Sequence, residues 1–228
     1  MAAAFAAIER IDEGLWTTTR PLRFFGVETG SRMTVMRVGD GLLVHSPVAL
    51  DPELQREVDA LGPVRAIVAP SKFHHLAVGQ WVRAYPDALV YACPGLEKKR
   101  ADVAWTGVLG DAAEEAWRGA VEQVFFGART LENEVVFFHA TSRTLVCADA
   151  VFNLAEHPSR VTRAVALLLG NRRPGATLLE RVMMRDRESA RAQIDRMLAW
   201  DFDRILLAHG APIASGGRDV LRSAYAWL

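Results

Sequence analysis

Cysteine is scarce in this chain. Cys93 and Cys147 are the only two in 228 residues, each at the end of a strand-like apolar run and without CxxC spacing. That pattern offers no disulfide framework and predicts two buried free thiols in a cytoplasmic protein. Net charge is missing as well: 27 Lys and Arg balance 27 Asp and Glu. The balance supports no broad nucleic-acid surface and argues against tight adhesion of the whole protein to anionic membranes, while leaving room for a local patch. Apolar runs such as residues 164–169 are far too short to span a bilayer. Residues 1–8 are apolar but lack a basic n-region and run straight into Glu9-Arg10, which makes a poor signal peptide. There is no repeat of solenoid period, no low-complexity tract and no evident linker, so the expectation is one domain over residues 1–228.

What is present reads as alternating strands and helices. Residues 14–18 have β-branched and aromatic character and predict a first strand. Residues 33–38 and 42–45 flank Gly39-Asp40-Gly41 as a hairpin. Asp51-Pro52 starts a helix with Leu54, Val58 and Leu61 on one face, and Gly62-Pro63 ends it. Residues 64–69 form a buried strand, residues 76–84 a helix and residues 89–92 another strand. Residues 94–119 mix Lys98, Lys99 and Arg100 with Gly and Trp and predict no clear element; the basic cluster reads as a solvated face. Strands return at 121–126, 134–139 and 144–147, the last two joined by a turn at 140–143. Helices follow at 160–169 and 187–200 with a loop at 170–175 between them, then a strand at 204–208 and a closing helix over 217–227.

Several of these strands end in a side chain able to hold a metal. His45 follows Leu42-Leu43-Val44, His74 and His75 follow Ile67-Val68-Ala69, Asp149 follows Leu145-Val146-Cys147, and His209 follows Ile205-Leu206-Leu207. An apolar strand gains nothing by finishing in an imidazole or a carboxylate unless it reaches a polar site, and sites of α/β proteins gather at the carboxyl edges of strands. Imidazole with carboxylate is a donor set for zinc, iron or manganese. Each group also has a plain structural reading, as a turn or capping residue. Adjacent residues of an extended segment point to opposite faces, so His74 and His75 ligate together only from a turn. His139 reads as a structural residue inside its strand, His157 as an exposed loop residue, and Trp81 as core, with Trp105 and Trp117 as pocket or core residues.

This order of elements resembles the metallo-β-lactamase superfamily, whose fold is an αββα four-layer sandwich with metal-binding loops at one edge of two facing sheets. The resemblance rests on Val68-Ala69-Pro70-Ser71-Lys72-Phe73-His74-His75, on Cys147-Ala148-Asp149 and on Leu207-Ala208-His209-Gly210-Ala211-Pro212. The sequence also resembles an uncharacterised, domain-of-unknown-function branch through Val44-His45-Ser46-Pro47, Lys72-Phe73-His74-His75-Leu76 and Val135-Val136-Phe137-Phe138-His139. Aligned on His75, the superfamily's first two metal-binding histidines become Pro70 and Lys72, and its aspartate becomes His74. Gly127-Ala128-Arg129 stands where a later histidine is expected.

The resemblance therefore implies loss of the first metal site and retention of His74, His75, Asp149 and His209 as candidates for one divalent ion (zinc, or iron or manganese). Lys72 would offer a cation for an anionic substrate or an oxyanion, and His45 would serve as a proton shuttle or orienting partner. Two readings stay open: a mononuclear metal-dependent hydrolase, and a metal-free scaffold whose polar pocket binds a small molecule or a protein. Metal-free acid–base catalysis by His45, Lys72 and His74 is a third. The expected partner is a small-molecule substrate or ligand, with no nucleic acid and no membrane.

Overall fold

The alternating segment around Gly39-Asp40-Gly41 folds as the hairpin expected of it, β5 (Ser31–Val38) and β6 (Gly41–His45), in a computed structural model that describes residues 6–128 and 133–228. Two strands precede it: β1 (Glu9–Asp12), which sequence reading missed, and β2 (Leu15–Arg20). A two-residue-stranded hairpin, β3 (Arg23–Phe24) and β4 (Val27–Glu28), projects between β2 and β5. Asp51 caps α1 (Pro52–Leu61), its Oδ1 accepting from the backbone N–H groups of Glu53 and Leu54 at 3.0 and 2.9 Å. Then come β7 (Val64–Ala69), α2 (Val78–Ala84) and β8 (Leu89–Ala92). The stretch left unassigned holds a four-residue helix α3 (Leu96–Lys99), a two-residue strand β9 (Gly107–Val108) and a 3₁₀ turn at Glu115–Trp117.

The second half supplies β10 (Val121–Phe126), β11 (Glu134–His139), β12 (Thr144–Val146), α4 (Arg160–Leu168), α5 (Leu178–Met183), α6 (Arg187–Leu198), β13 (Arg204–Leu206) and α7 (Gly217–Ala224). The short α5 lies in a segment from which no helix was expected.

Strands β1, β2, β5, β6, β7, β8 and β9 form a seven-stranded sheet in that order, and β10 to β13 a four-stranded one. Three apolar clusters show how these are layered. Met33, Val35, Val44 and Ile67 pack outward against Leu54 and Val58 of α1 and Val78 and Trp81 of α2. Leu15, Met36, Leu43 and Val68 face inward, onto Val121, Val135, Phe137, Val146 and Leu206 of the other sheet. Val124, Val136, Leu145 and Ile205 pack outward on Ala190, Ile194 and Met197 of α6 and Leu221 of α7. Helix, sheet, sheet, helix is the αββα sandwich expected, and period-two alternation along each strand is what lets both sheets bury two faces.

Two parallel pairings decide where the polar strand ends go. β6 runs parallel to β7 and β7 to β8, so His45 and Ala69 leave the large sheet at one edge. β12 runs parallel to β13, so Val146 and Leu206 leave the small sheet together. The turn after β7 then crosses between the sheets: Val135 N–H donates to Pro70 C=O at 2.8 Å, and Ser71 bridges Glu134.

Cys93 and Cys147 are both free and buried, as expected. Trp81 is core, its Nε1 donating to Val48 C=O at 2.7 Å, and Trp117 is buried between the sheets rather than lining a pocket. His139 is structural, its Nδ1 2.7 Å from Ser142 Oγ. His157 is a half-buried loop residue whose Nδ1 accepts from Ser159 N–H. Residues 1–5 of the N-terminal apolar stretch, and Arg129 of the Gly127-Ala128-Arg129 motif, lie outside the described residues.

Candidate metal centre

Three of the strand-end residues meet. His74 Nε2 and His209 Nε2 are 3.2 Å apart, and each lies 3.4 Å from Asp149 Oδ1. All three side chains are buried, and among the described residues they form the one group of three or more such donors that could hold a metal.

The spacing tests that possibility directly. Two donors about 2.0–2.1 Å from a tetrahedral zinc ion stand about 3.3–3.4 Å from one another. Edges of 3.2, 3.4 and 3.4 Å are therefore the face of a tetrahedron sized for such an ion. The outer ring nitrogens are engaged as a ligand pair requires. His209 Nδ1 lies 2.8 Å from Gly30 C=O, an acceptor only, so Nδ1 carries the proton and the Nε2 lone pair turns inward. His74 Nδ1 lies 2.8 Å from Ser46 Oγ. The residues fit one ion.

Each ligand is held by its own local device. Ser71, in the turn after β7, accepts from Phe73 and His74 N–H at 3.2 Å each, which tightens the turn and aims His74 inward. Ser71 Oγ also donates toward Asp149 Oδ2 at 3.4 Å. The turn carrying Asp149 hangs on Glu134, whose carboxylate accepts from Ala148 N–H at 3.2 Å and Asp149 N–H at 2.6 Å. Arg32 of β5 reaches across to the His209 loop, donating from Nε to Leu207 C=O and from a terminal nitrogen to Gly210 C=O at 3.1 and 3.0 Å.

The electrostatics follow from this packing. Burial alone raises the Asp149 carboxyl, but the His74 charge and hydrogen bonds from His209 and His74 overcome it and hold the group well below the usual carboxylate range. Burial alone lowers His209, yet its hydrogen bond to Asp149 and that carboxylate's charge leave it raised.

Gly210 closes the His209 loop with φ +103°, and a Cβ there would stand 1.9 Å from Asn153 C=O, an atom of the backbone. Gly210→Ala therefore has to displace the loop that carries His209. We expect a loss of stability beyond the about 1–2 kcal/mol of a left-handed alanine, read by denaturant unfolding, and a matching fall in zinc affinity.

The remaining candidates stand elsewhere. His75 turns away from the group: its Nδ1 lies 3.0 Å from Arg100 Nη1, and burial, then Lys99 and Arg100, push it down to about 4. The alternation that sends neighbours to opposite faces applies even in this tight turn. Arg100, read from sequence as part of a solvated cluster, is instead the residue that holds His75. Lys72 is half-buried with its ammonium end beside Gly95, where a Cβ would lie 3.2 Å from Nζ. His45 is 1 % exposed and sits edge-on to Phe137 with ring centroids 5.3 Å apart. Its Nε2 has no hydrogen-bond partner among the described residues, and burial with the neighbouring His74 pushes it down to about 3. Sequence reasoning missed Ser46, Ser71 and Glu134. Glu134 alone left a signal, as a carboxylate heading an otherwise apolar strand.

A cavity of about 180 Å³ opens beside His74 and His75, lined by Arg20, Leu22, Ser46, Phe73, Leu76 and Gln80. Phe24 of the projecting hairpin packs edge-on against Phe73 at 5.9 Å between centroids.

Solved structures share this architecture. DIM-1 metallo-β-lactamase is 14 % identical, with 96 % of each chain covered and a TM-score of 0.66. A metallo-β-lactamase from Erythrobacter litoralis is 13 % identical over 97 % of this chain and 96 % of that one, at 0.65. FIM-1 from Pseudomonas aeruginosa, in a mono-zinc form, is 13 % identical over 96 % and 94 %, at 0.62. At such identities the likeness is one of fold. No curated protein matches at a significant level. A family model, domain of unknown function DUF4336, matches residues 12–180, about three quarters of the chain. The chain belongs to the DUF4336 family, and it is built on the metallo-β-lactamase fold.

Proposed function

We propose that this chain is a mononuclear, metal-dependent hydrolase, with one divalent ion, zinc by its donor set, held by His74, Asp149 and His209. The observation that supports it is the triangle of His74 Nε2, His209 Nε2 and Asp149 Oδ1, whose edges match a tetrahedral ion. One neighbour of the same fold, FIM-1, is known in a mono-zinc form. When bound, such an ion supplies a Lewis acid and lowers the pKa of a water toward ~7. The chain's own residues do the rest. Gly30 and Ser46 fix the two imidazoles, and Glu134 fixes the turn of Asp149. Ser46, buried in the wall of the cavity, lies between His74 and that space. Leu22, Phe73 and Leu76 line the same cavity, which suits a small molecule with an apolar portion. His45 is buried and neutral, which fits a spacer better than a proton shuttle.

One observation favours a second reading, a metal-free binding scaffold. Asp149 Oδ1 lies 3.4 Å from both imidazoles, and its charge and hydrogen bond raise His209, which fits a proton in place of an ion between them. Metal content separates the two. Protein prepared with zinc present and then desalted should carry one ion per chain by mass spectrometry of the elements, and the stripped protein should take up one equivalent in a calorimetric titration. Absence of both stoichiometric metal and saturable uptake would leave the scaffold reading standing.

A further inference from the structure

On α4, the loop after it and α5, the apolar side chains face out. Val161 and Leu168 lie one stripe apart on α4 with Leu167 beside them, and Leu178, Leu179 and Val182 continue on α5; Leu168 is 79 % exposed and Val182 82 %. The two helices abut. Leu178 N–H donates to Leu169 C=O at 2.8 Å, and a Cβ on Gly170 would lie 2.8 Å from Leu178 Cγ, so the exposed stripes merge into one surface. The patch is pinned to the body of the protein, Thr162 Oγ1 donating to Glu28 C=O of β4 at 2.6 Å.

The charges around it are mostly of one sign. Between His157 and Arg185 the chain carries Arg160, Arg163, Arg172, Arg173, Arg181 and Arg185, and the one carboxylate is Glu180. Glu180 is buried and accepts from the Tyr225 hydroxyl, so it does not offset them at the surface. Two exposed carboxylates, Glu156 and Asp186, flank the segment and are outnumbered by its arginines. Exposed aliphatic residues framed by an excess of arginines are the make-up of a helix pair lying in a lipid interface, with guanidinium groups reaching to the headgroups. A second copy fits poorly, because a two-fold contact sets arginine against arginine. The exposed patch also lacks the aromatic residues that enrich protein–protein interface cores.

We propose that the α4–α5 face docks this protein on an anionic lipid surface. No helix among the described residues is long and apolar enough to cross a membrane, so the docking is peripheral. The neutral charge of the whole chain then makes this face the orienting feature.

Flotation of the full chain with vesicles tests the proposal. Vesicles of phosphatidylcholine mixed with phosphatidylglycerol should carry the protein up the gradient at low salt, pure phosphatidylcholine should not, and added salt should release it. The double variant Leu168→Asp/Val182→Asp should lower the bound fraction about tenfold or more, and Arg172→Glu/Arg173→Glu should do the same while leaving the apolar stripe intact. All four positions are exposed, so unchanged circular dichroism and an unchanged denaturant midpoint certify both variants as folded. Absence of flotation by the folded wild type overturns the proposal, as does equal binding to both lipids. A wild-type dimer in light scattering that Leu168→Asp/Val182→Asp dissociates also overturns it, because the face then covers another chain.

Discussion

Asp149→Ala weakens zinc binding by more than the roughly 10–100-fold lost when an outer hydrogen-bond partner of a ligand is removed, and it destabilises the metal-free protein as well. Both effects come from one carboxylate. Its Oδ1 stands 3.4 Å from both imidazole Nε2 atoms and its Oδ2 accepts from Ser71, all in a buried space. Alanine leaves two buried imidazoles 3.2 Å apart without the charge that settles a proton between them. The cost for such an orphaned buried partner is about 1–3 kcal/mol, measured by denaturant unfolding in chelator. Asp149→Asn separates the two effects. The amide keeps the volume and one hydrogen bond, so the metal-free protein recovers part of its stability, while zinc binding stays weak because the charge is gone. Wild-type zinc affinity in both variants would place the zinc away from this group.

Acid should begin to destabilise the protein well before its carboxylates protonate, and His45 is one reason. Its folded pKa, about 3, lies below the ordinary 6.5. Unfolding therefore takes up a proton, and the contribution is fully present above pH 6.5 and lost progressively down to about pH 3. The slope reaches about 1.36 kcal/mol per pH unit for one proton once the pH is well below 6.5, so moving from pH 6.5 to 4.5 costs about 2 kcal/mol. His45→Leu should remove the part of that slope that His45 supplies, leaving the part of the same sign from His75, and change stability at neutral pH by less than about 1.5 kcal/mol, since Nε2 has no partner among the described residues. Denaturant midpoints at pH 4.5 and 7.5 for both proteins check this; parallel acid losses would show that His45 is not the group. The metal-free centre adds limbs of known sign. Asp149, depressed, contributes stability above 3.8 that is lost as pH falls through its folded value. His209, raised, contributes below 6.5 and loses it as pH rises through its folded value.

Much of this was legible in the chain itself. Apolar runs, glycine and proline punctuation and the Asp51-Pro52 cap define α1, β5 to β8, β10 to β12 and α6 nearly to the residue, because periodicity and capping are local properties. The strand-end grammar of His74, Asp149 and His209 was legible for the same reason: an apolar strand that ends in a ligand-capable group advertises an edge. β1 and α5 were not, being short segments stabilised by the surfaces they join rather than by their own pattern.

Tertiary structure decided the rest. The parallel pairings β6–β7 and β12–β13 bring residues 74, 149 and 209 to one point, and no local pattern encodes a pairing partner. Only the turn after β7 separates His74 from His75, sending one imidazole to Asp149 and the other to Arg100. The outward leucines of α4 and α5 could not be told from core residues in the sequence, since an apolar residue does not record which side the protein covers. So local periodicity and strand ends determined the elements and a short list of possible ligands, and the family resemblance implied the four-layer class. Which of those ligands share a centre, and which apolar face stays bare, depended on contacts between residues as many as 179 positions apart, and those exist only once the sheets have paired.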